Sequence, residues 1–434
     1  MWEGPIRLFN TLTRRIEPVH AEGPAVRVYV CGITPYDTTH LGHAFTYTSA
    51  DLLVRALESR GRKVLYVQNV TDIDDDILRK AAETGGDWRA VGNRWTEHYI
   101  RDMISLNVRP PDHLPRASGA VPEILESVLA LLSAGLAYVS GGSVYYDLAA
   151  RPDYGVLSRL PRDEMLLIAN ERGNVPDDPH KRDPLDFVLW QAQKPGEPAW
   201  PSPWGAGRPG WHIECSTLVQ KFLGPSLDVH GGGEDLIFPH HESEIAQIEP
   251  LTGRPFAHTW MHTSMVQYEG AKMSKSLGNL VMMEGLLGRF TPDAIRIYLA
   301  SHHYRSVWTH DETALQTAAE ISRAFESAAS AAGGAGKPTS SQPESGDFER
   351  AMEEDLDSPE ALVALERLAR RILDAAGRGE TISTAQAELR GLGAQLGLRI
   401  GQSGPEPRVA RGWGALRQRF LAAPESARGT PPVA

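Results

Sequence analysis

The sequence predicts an α/β fold, a doubly wound parallel sheet carrying an insertion and followed by a helical region. Three observations carry this prediction. Residues 25–33 (AVRVYVCGI) form an apolar, β-branched run of the kind that makes a buried parallel strand. A helical segment from about residue 43 to 60 follows, closed by Arg60-Gly61, and Val64-Leu65-Tyr66-Val67 then reads as a second strand. Beyond residue 311 the chain is almost wholly helical in pattern.

Strand, helix, strand is a βαβ unit, so the sheet is expected to be Rossmann-like. Residues 73–107 are mostly helical in pattern, and Pro110-Pro111 closes them. Between about 115 and 200 the pattern turns irregular, with a helix near 120–135, the short strand Ser143-Val144-Tyr145-Tyr146 and loops rich in Pro, Asp and Gly. This reads as an insertion between two halves of the sheet. A strand-and-helix rhythm resumes from 210 to 250, and residues 261–310 are expected to connect it to the helical part. The expected division is therefore a catalytic domain over 1–310 and a helical domain over 311–434. Residues 331–346 (AAGGAGKPTSSQPESG) interrupt the latter as a linker flexible by composition, and the last dozen residues read as a disordered tail. No internal repeat is present.

The chain has 434 residues, enough for about two to four domains. Apolar content is 41% and charged content 23%, ordinary for a globular protein. No stretch reaches the ~18 apolar residues of a membrane-spanning helix, and no charged-then-apolar leader opens the chain. The expectation is a cytoplasmic protein without a membrane partner. A net charge of −11 excludes a global basic field, so contact with RNA would need a local basic face.

His40-Leu41-Gly42-His43 lies where the first strand gives way to the first helix. Free backbone N–H groups and the helix dipole favour an anion there, and the two imidazoles can donate to phosphate oxygens. Four letters arise by chance, and a capping histidine is the plainer reading. The second string is Lys272-Met273-Ser274-Lys275-Ser276, followed by Leu277-Gly278-Asn279. Lys272 and Lys275 in such a loop can follow a pyrophosphate as negative charge builds in the transition state. Together the strings resemble the nucleotide motifs of class I aminoacyl-tRNA synthetases.

There are two cysteines, Cys31 and Cys215. Cys31 ends the first strand, where α/β folds place ligands. Cys215 closes Gly210-Trp211-His212-Ile213-Glu214-Cys215. His240 and Glu244 are four apart and share a face if their segment is helical. Two thiolates, an imidazole and a carboxylate make a zinc donor set. Two buried thiols beside a surface histidine pair is the alternative.

Over about residues 5–375 the chain resembles the cysteinyl-tRNA synthetase family. Tyr29-Val30-Cys31-Gly32, Asn69-Val70-Thr71-Asp72, GRPGWHIEC at 207–215, HGGGEDLIFPHHE at 230–242 and the KMSKS string carry the resemblance. It implies one Zn2+ per chain held by Cys31, Cys215, His240 and Glu244. It implies a cysteine pocket of Thr71 and Trp211 beside Cys31, and ATP or adenylate contacts from His40, His43, Gly232, Asp235 and Lys275. L-cysteine, ATP with Mg2+ and tRNA(Cys) are the implied partners, and a monomer is expected. Zinc makes chemical sense because cysteine and serine differ by one atom, which an apolar pocket separates by only about 1–3 kcal/mol. A thiolate is a preferred soft ligand and an alcohol is not.

A related family acylates an amino sugar, glucosaminyl-inositol, from the same adenylate in mycothiol synthesis. Ile33-Thr34-Pro35-Tyr36-Asp37 and Thr39-His40-Leu41 resemble that ligase, and the anticodon-reading module expected after about residue 405 is shortened or missing. Glu244, which the ligase lacks, Ser243–Gln247, His303–Ser306 and the bundle motif Met352–Ala361 resemble the synthetase. A third reading is a chain that keeps the fold but only binds nucleotide or RNA. Three features take plainer readings: Asp72, Asp74, Asp75 and Asp76 as a helix amino terminus, Trp88 and Trp95 as helix packing, and His302-His303 as a structural pair.

Overall fold

The computed structural model describes residues 4–273 and 278–422. Its central sheet has four parallel strands in the spatial order Ala257–Thr263, Leu227–Gly233, Ala25–Ile33 and Lys63–Val70. The first strand in sequence thus pairs with the second on one side and the third on the other. Their carboxyl ends diverge into separate connections, the position at which α/β sheets bind ligands.

Alternation along Ala25–Ile33 fills two cores. Val26, Val28 and Val30 join a cluster with the helix Leu41–Ser59 and the carboxyl-terminal helices. Tyr29 and Cys31 face the other way, into a cluster with the insertion and the helix Trp211–Leu223. Successive strand side chains point to opposite faces, so one sheet can be buried on both.

The insertion contains the helix Val121–Ser133 and a separate antiparallel sheet, ordered Ala137–Ser140, Ser143–Tyr146, Val188–Ala192 and Gly207–Pro209. It runs to Pro209, past the expected boundary at 200, because Gly207 and Pro209 pair with Ala192 and Trp190. Glycine and proline hid that short edge strand from a propensity reading. Ala257–Thr263 belongs to the central sheet, so the connective region expected from 261 begins after residue 263.

The helical part comprises Glu312–Ser330, Gln342–Glu353, Ser358–Gly377, Ser383–Gln395 and Pro407–Ala422. The expected linker over 331–346 needs correction. Residues 342–346 open a helix with proline in its first turn, which buries Phe348, Ala351 and Met352. The remainder is tied down, with Gly334 N–H donating to Glu380 O (2.8 Å) and Thr339 N–H to Thr381 O (2.9 Å). Tertiary hydrogen bonds here override a composition typical of flexible linkers. Asp355 of the bundle accepts from Phe9 N–H at 2.7 Å, Tyr304 Oη at 2.6 Å and Arg305 Nε at 2.6 Å, joining bundle to catalytic domain.

The last helix, Pro407–Ala422, returns to the catalytic domain. Val409, Trp413, Leu416 and Phe420 form its buried stripe, at the spacing of one helix face. The expected tail, 423–434, lies outside the described residues. Among the described residues no helix is long and apolar enough to cross a membrane.

Candidate active site

A cavity of about 780 Å³ lies at the carboxyl ends of the central strands. Cys31, Thr71, Trp211, Cys215 and His240 line it, as do His40, His43 and Asp235. Glu244 lies fully buried behind the wall. Gly232, paired with His262, precedes the cavity-lining Gly233 at the end of the strand Leu227–Gly233. The side chain of Lys272, and Lys275 altogether, lie outside the described residues.

Local sequence explains the placement. Gly32 lets the first strand pass against the second: a Cβ there would overlap the Asn69 carbonyl oxygen, and Gly32 N–H donates to Asn69 Oδ1 at 2.7 Å. Asn69 Nδ2 also donates to Thr71 Oγ1 at 3.1 Å, which fixes Thr71 as the chain leaves the sheet. His40 caps the helix Leu41–Ser59, its Nδ1 accepting from His43 N–H at 3.3 Å, and the two rings stack at 3.7 Å. Capping and a place on the cavity wall therefore coexist in one residue. Trp211 opens the helix Trp211–Leu223, and its ring stacks on His240 at 4.4 Å.

Donor atoms of Cys31, Cys215, His240 and Glu244 all lie within 4.8 Å of one another, and all four residues are buried. The sulfurs are 3.9 Å apart and both thiols are free. His240 Nε2 is 2.9 Å from Glu244 Oε1, while His230 Nε2 meets Glu244 Oε2 at 2.8 Å. A second set, Cys31, His230, His241 and Glu244, is equally compact. The cavity separates them: Cys31, Cys215 and His240 line it, whereas His230 and His241 do not.

Electrostatics prepare the first set for a cation. Burial opposes ionisation of Glu244, but His230 and His240 outweigh it and hold the carboxyl near 2. A hydrogen bond from the Cys31 thiol, opposed by burial and aided by His240, holds Cys215 near 6. Burial disfavours charge on His240, yet Glu244 and Cys215 raise it to about 10. Glu244 and Cys215 thus concentrate negative charge around His240 in a buried place, which suits a divalent cation.

The sequence reading missed the surrounding histidines. His212 Nδ1 is 3.0 Å from His240 Nδ1. His241 Nε2 is 3.3 Å from Cys31 Sγ, and its Nδ1 is 2.8 Å from His262 Nε2. His262 Nδ1 in turn meets Thr11 Oγ1 at 2.7 Å. Burial, with His230 next, drives His262 down to about 3, so this imidazole is neutral. Outer partners of this kind set the tautomer and orientation of metal-binding groups. The density of histidine in the 230–242 string signals His230 and His241, whereas His212 and His262 stand apart from it in the sequence.

The remaining tempting residues take plain places. Asp74 caps the helix Asp75–Thr84, with Asp75 and Asp76 in its first turn. Trp88 meets Trp200 edge-on at 6.4 Å, and His302 stacks on Trp308 at 3.9 Å. Arg172 pairs with Asp235 at 3.2 Å on the cavity wall.

The family model for the class I tRNA synthetase (C) catalytic domain matches residues 17–320. Thermomonospora curvata L-cysteine:1D-myo-inositol 2-amino-2-deoxy-alpha-D-glucopyranoside ligase is 44% identical over 399 residues, covering 91% of this chain and 95% of the relative. Methylococcus capsulatus cysteine–tRNA ligase is 45% identical over 400 residues, covering 91% and 85%. Mycobacterium tuberculosis methionyl-tRNA synthetase with methionyl-adenylate shares the fold at TM-score 0.62 and 17% identity, over 95% of this chain and 98% of that one. The Agrobacterium radiobacter leucyl-tRNA synthetase of a ternary tRNA complex does so at TM-score 0.65 and 13% identity, over 96% and 87%. With the matched domain spanning the whole central sheet and relatives aligned along nine-tenths of its length, this chain is a ligase that belongs to the class I tRNA synthetase (C) family.

Proposed function

We propose that the protein activates L-cysteine with ATP at a zinc site and transfers it from the adenylate to tRNA. The observation that carries this is the convergence of Cys31, Cys215, His240 and Glu244 at one wall of the cavity, with Thr71 and Trp211 beside them. The donor set is soft, buried and anionic, which suits zinc. Zinc bound there supplies a soft Lewis-acidic position for a substrate thiolate, and so a basis for rejecting serine.

In this reading Thr71 and Trp211 shape the pocket for the amino acid, with Cys31 at its base. His40 and His43, at the start of the first helix, face the phosphates of ATP-Mg2+, with Gly232 at the end of the strand Leu227–Gly233 and Asp235 in the turn that follows it. Lys272 and Lys275 follow the pyrophosphate as it leaves. The cysteine carboxylate attacks the α-phosphorus and pyrophosphate departs, so the protein positions reactants and stabilises charge without a nucleophile of its own. A monomer in the cytoplasm suits this work.

The tRNA acceptor is supported by Glu244 and by a helical region keyed to the catalytic domain through Asp355. A second reading, transfer to the amine of glucosaminyl-inositol, is favoured by similarity to the Thermomonospora ligase, 44% identical over 399 residues. Metal-analysed protein given ATP, labelled cysteine and either total tRNA or glucosaminyl-inositol separates the two. Label on tRNA supports the first reading, and label on the amino sugar alone replaces it with the second. No cysteine-dependent pyrophosphate exchange by folded, zinc-loaded protein would leave a chain that only binds nucleotide or RNA.

A further inference from the structure

The last helix reaches the edge of the cavity through one arginine. Arg116 bridges to Val70 at the carboxyl end of the strand Lys63–Val70. Its guanidinium lies 3.4 Å from the centre of the Phe420 ring. Arg116 Nη2 donates to Phe420 O at 2.9 Å and Asn93 Oδ1 at 2.7 Å, and Nη1 reaches Asp72 Oδ2 at 3.4 Å. Asp72, itself buried, also accepts from Ser118 N–H at 2.9 Å and Ser118 Oγ at 2.6 Å. Thr71 and Asp74, either side of that anchored carboxylate, line the cavity.

The helix is seated firmly enough to act from this end. Trp413 is fully buried and donates Nε1–H to Val108 O at 2.8 Å. Gly412 permits the approach, because a Cβ there would overlap the ring of Pro110. Arg417 pairs with Glu97 at 2.9 Å, and Glu406, just ahead of the helix, pairs with the buried Arg55 at 2.8 Å. Arg116 Nε is buried without a hydrogen-bond partner among the described residues. The ring face and carbonyl of Phe420 are therefore a substantial part of what stabilises this cation away from water.

We propose that the helix Pro407–Ala422 is a strap that holds the turn Thr71–Asp74 in its binding geometry, with Phe420 and Arg116 as positioning residues for the amino-acid pocket. The inference rests on the cysteine-activation reading for the pocket's occupant and for its kinetic test, while the hold on the turn itself does not. Lifting Phe420 off Arg116 would expose that guanidinium to water and slacken its hold on Asp72. The turn carrying Thr71 would then sample other conformations, and amino-acid binding would weaken before chemistry does.

The test uses the full chain with Phe420→Leu, which keeps an apolar side chain but removes the ring face, and Arg116→Lys, which keeps charge but loses the planar stack. In cysteine-dependent pyrophosphate exchange, both should raise the KM for cysteine about tenfold and change kcat by less than about twofold. Zinc content should stay at the wild-type level, and Phe420→Tyr should restore the KM. Hydrogen exchange at residues 70–76 should quicken in Phe420→Leu and Arg116→Lys. Unchanged exchange at 70–76, or an unchanged KM, overturns the strap. A fall in kcat with loss of zinc would reduce the contact to general stability and also overturn it. If the wild-type protein shows no pyrophosphate exchange, the cysteine reading fails, while hydrogen exchange still decides the strap.

Discussion

His240 and Glu244 are one helical turn apart and meet at 2.9 Å, Nε2 to Oε1. The carboxylate's other oxygen is taken by His230 Nε2 at 2.8 Å. Glu244 is thus oriented from both ends, one by a fellow donor and one by a residue that stays off the cavity wall. His230→Ala should retain all four donors yet weaken metal binding by about 10–100-fold. Competition with a fluorescent zinc chelator measures this, and wild-type affinity in the variant would refute the supporting role.

Cys215 contributes one of the two sulfurs and lines the cavity. Cys215→Ala should purify without stoichiometric zinc and lose its preference for cysteine over serine in pyrophosphate exchange. Metal analysis and exchange with both amino acids provide the check. Full zinc content with intact selectivity would remove the metal-site argument.

Asp51 is a fully buried carboxylate shared by two cations. Arg55 Nε donates to it at 2.9 Å and Arg296 Nη2 at 2.6 Å, and Arg109 N–H adds a third bond at 2.8 Å. Asp51→Ala would leave two buried guanidinium groups short of a counter-charge, at a cost of about 3–5 kcal/mol. Breaking the exposed pair Arg370–Glu366 by Arg370→Ala should cost less than about 1 kcal/mol. Denaturant titration of the two variants tests the contrast.

Glu406 anchors the start of the last helix. Burial opposes its charge, but Arg55, with help from Arg408, outweighs this and lowers its carboxyl to about 2. A lowered carboxyl stabilises the docked state above its unfolded value near 4.5, and this contribution is lost as pH falls from there through about 2. Protection factors across 407–422, corrected for the pH dependence of intrinsic exchange, should therefore fall between pH 5 and 3 in the wild type, starting lower and falling less in Glu406→Gln. Equal profiles would show that the ion pair does not set the docking.

What the sequence by itself determined was local. The β-branched run at 25–33, the helix that follows it and the string around Cys215 announce themselves through spacing and residue type, because side-chain periodicity and capping act within a few residues. The acidic run at 72–76 shows the limit, since Asp74 caps a helix while Asp72 accepts from Ser118, far along the chain. The family's motif strings made four candidate donor residues nameable in advance, and their donor atoms lie within 4.8 Å of one another. Only the tertiary structure decided that Cys31 and Cys215, 184 positions apart, come within 3.9 Å. It also decided which of the crowded histidines face the cavity and which stand behind, that residues 342–346 are helical, and that the last helix docks on the catalytic domain. Each of these depends on contacts between distant segments, where burial and hydrogen bonding outweigh local composition.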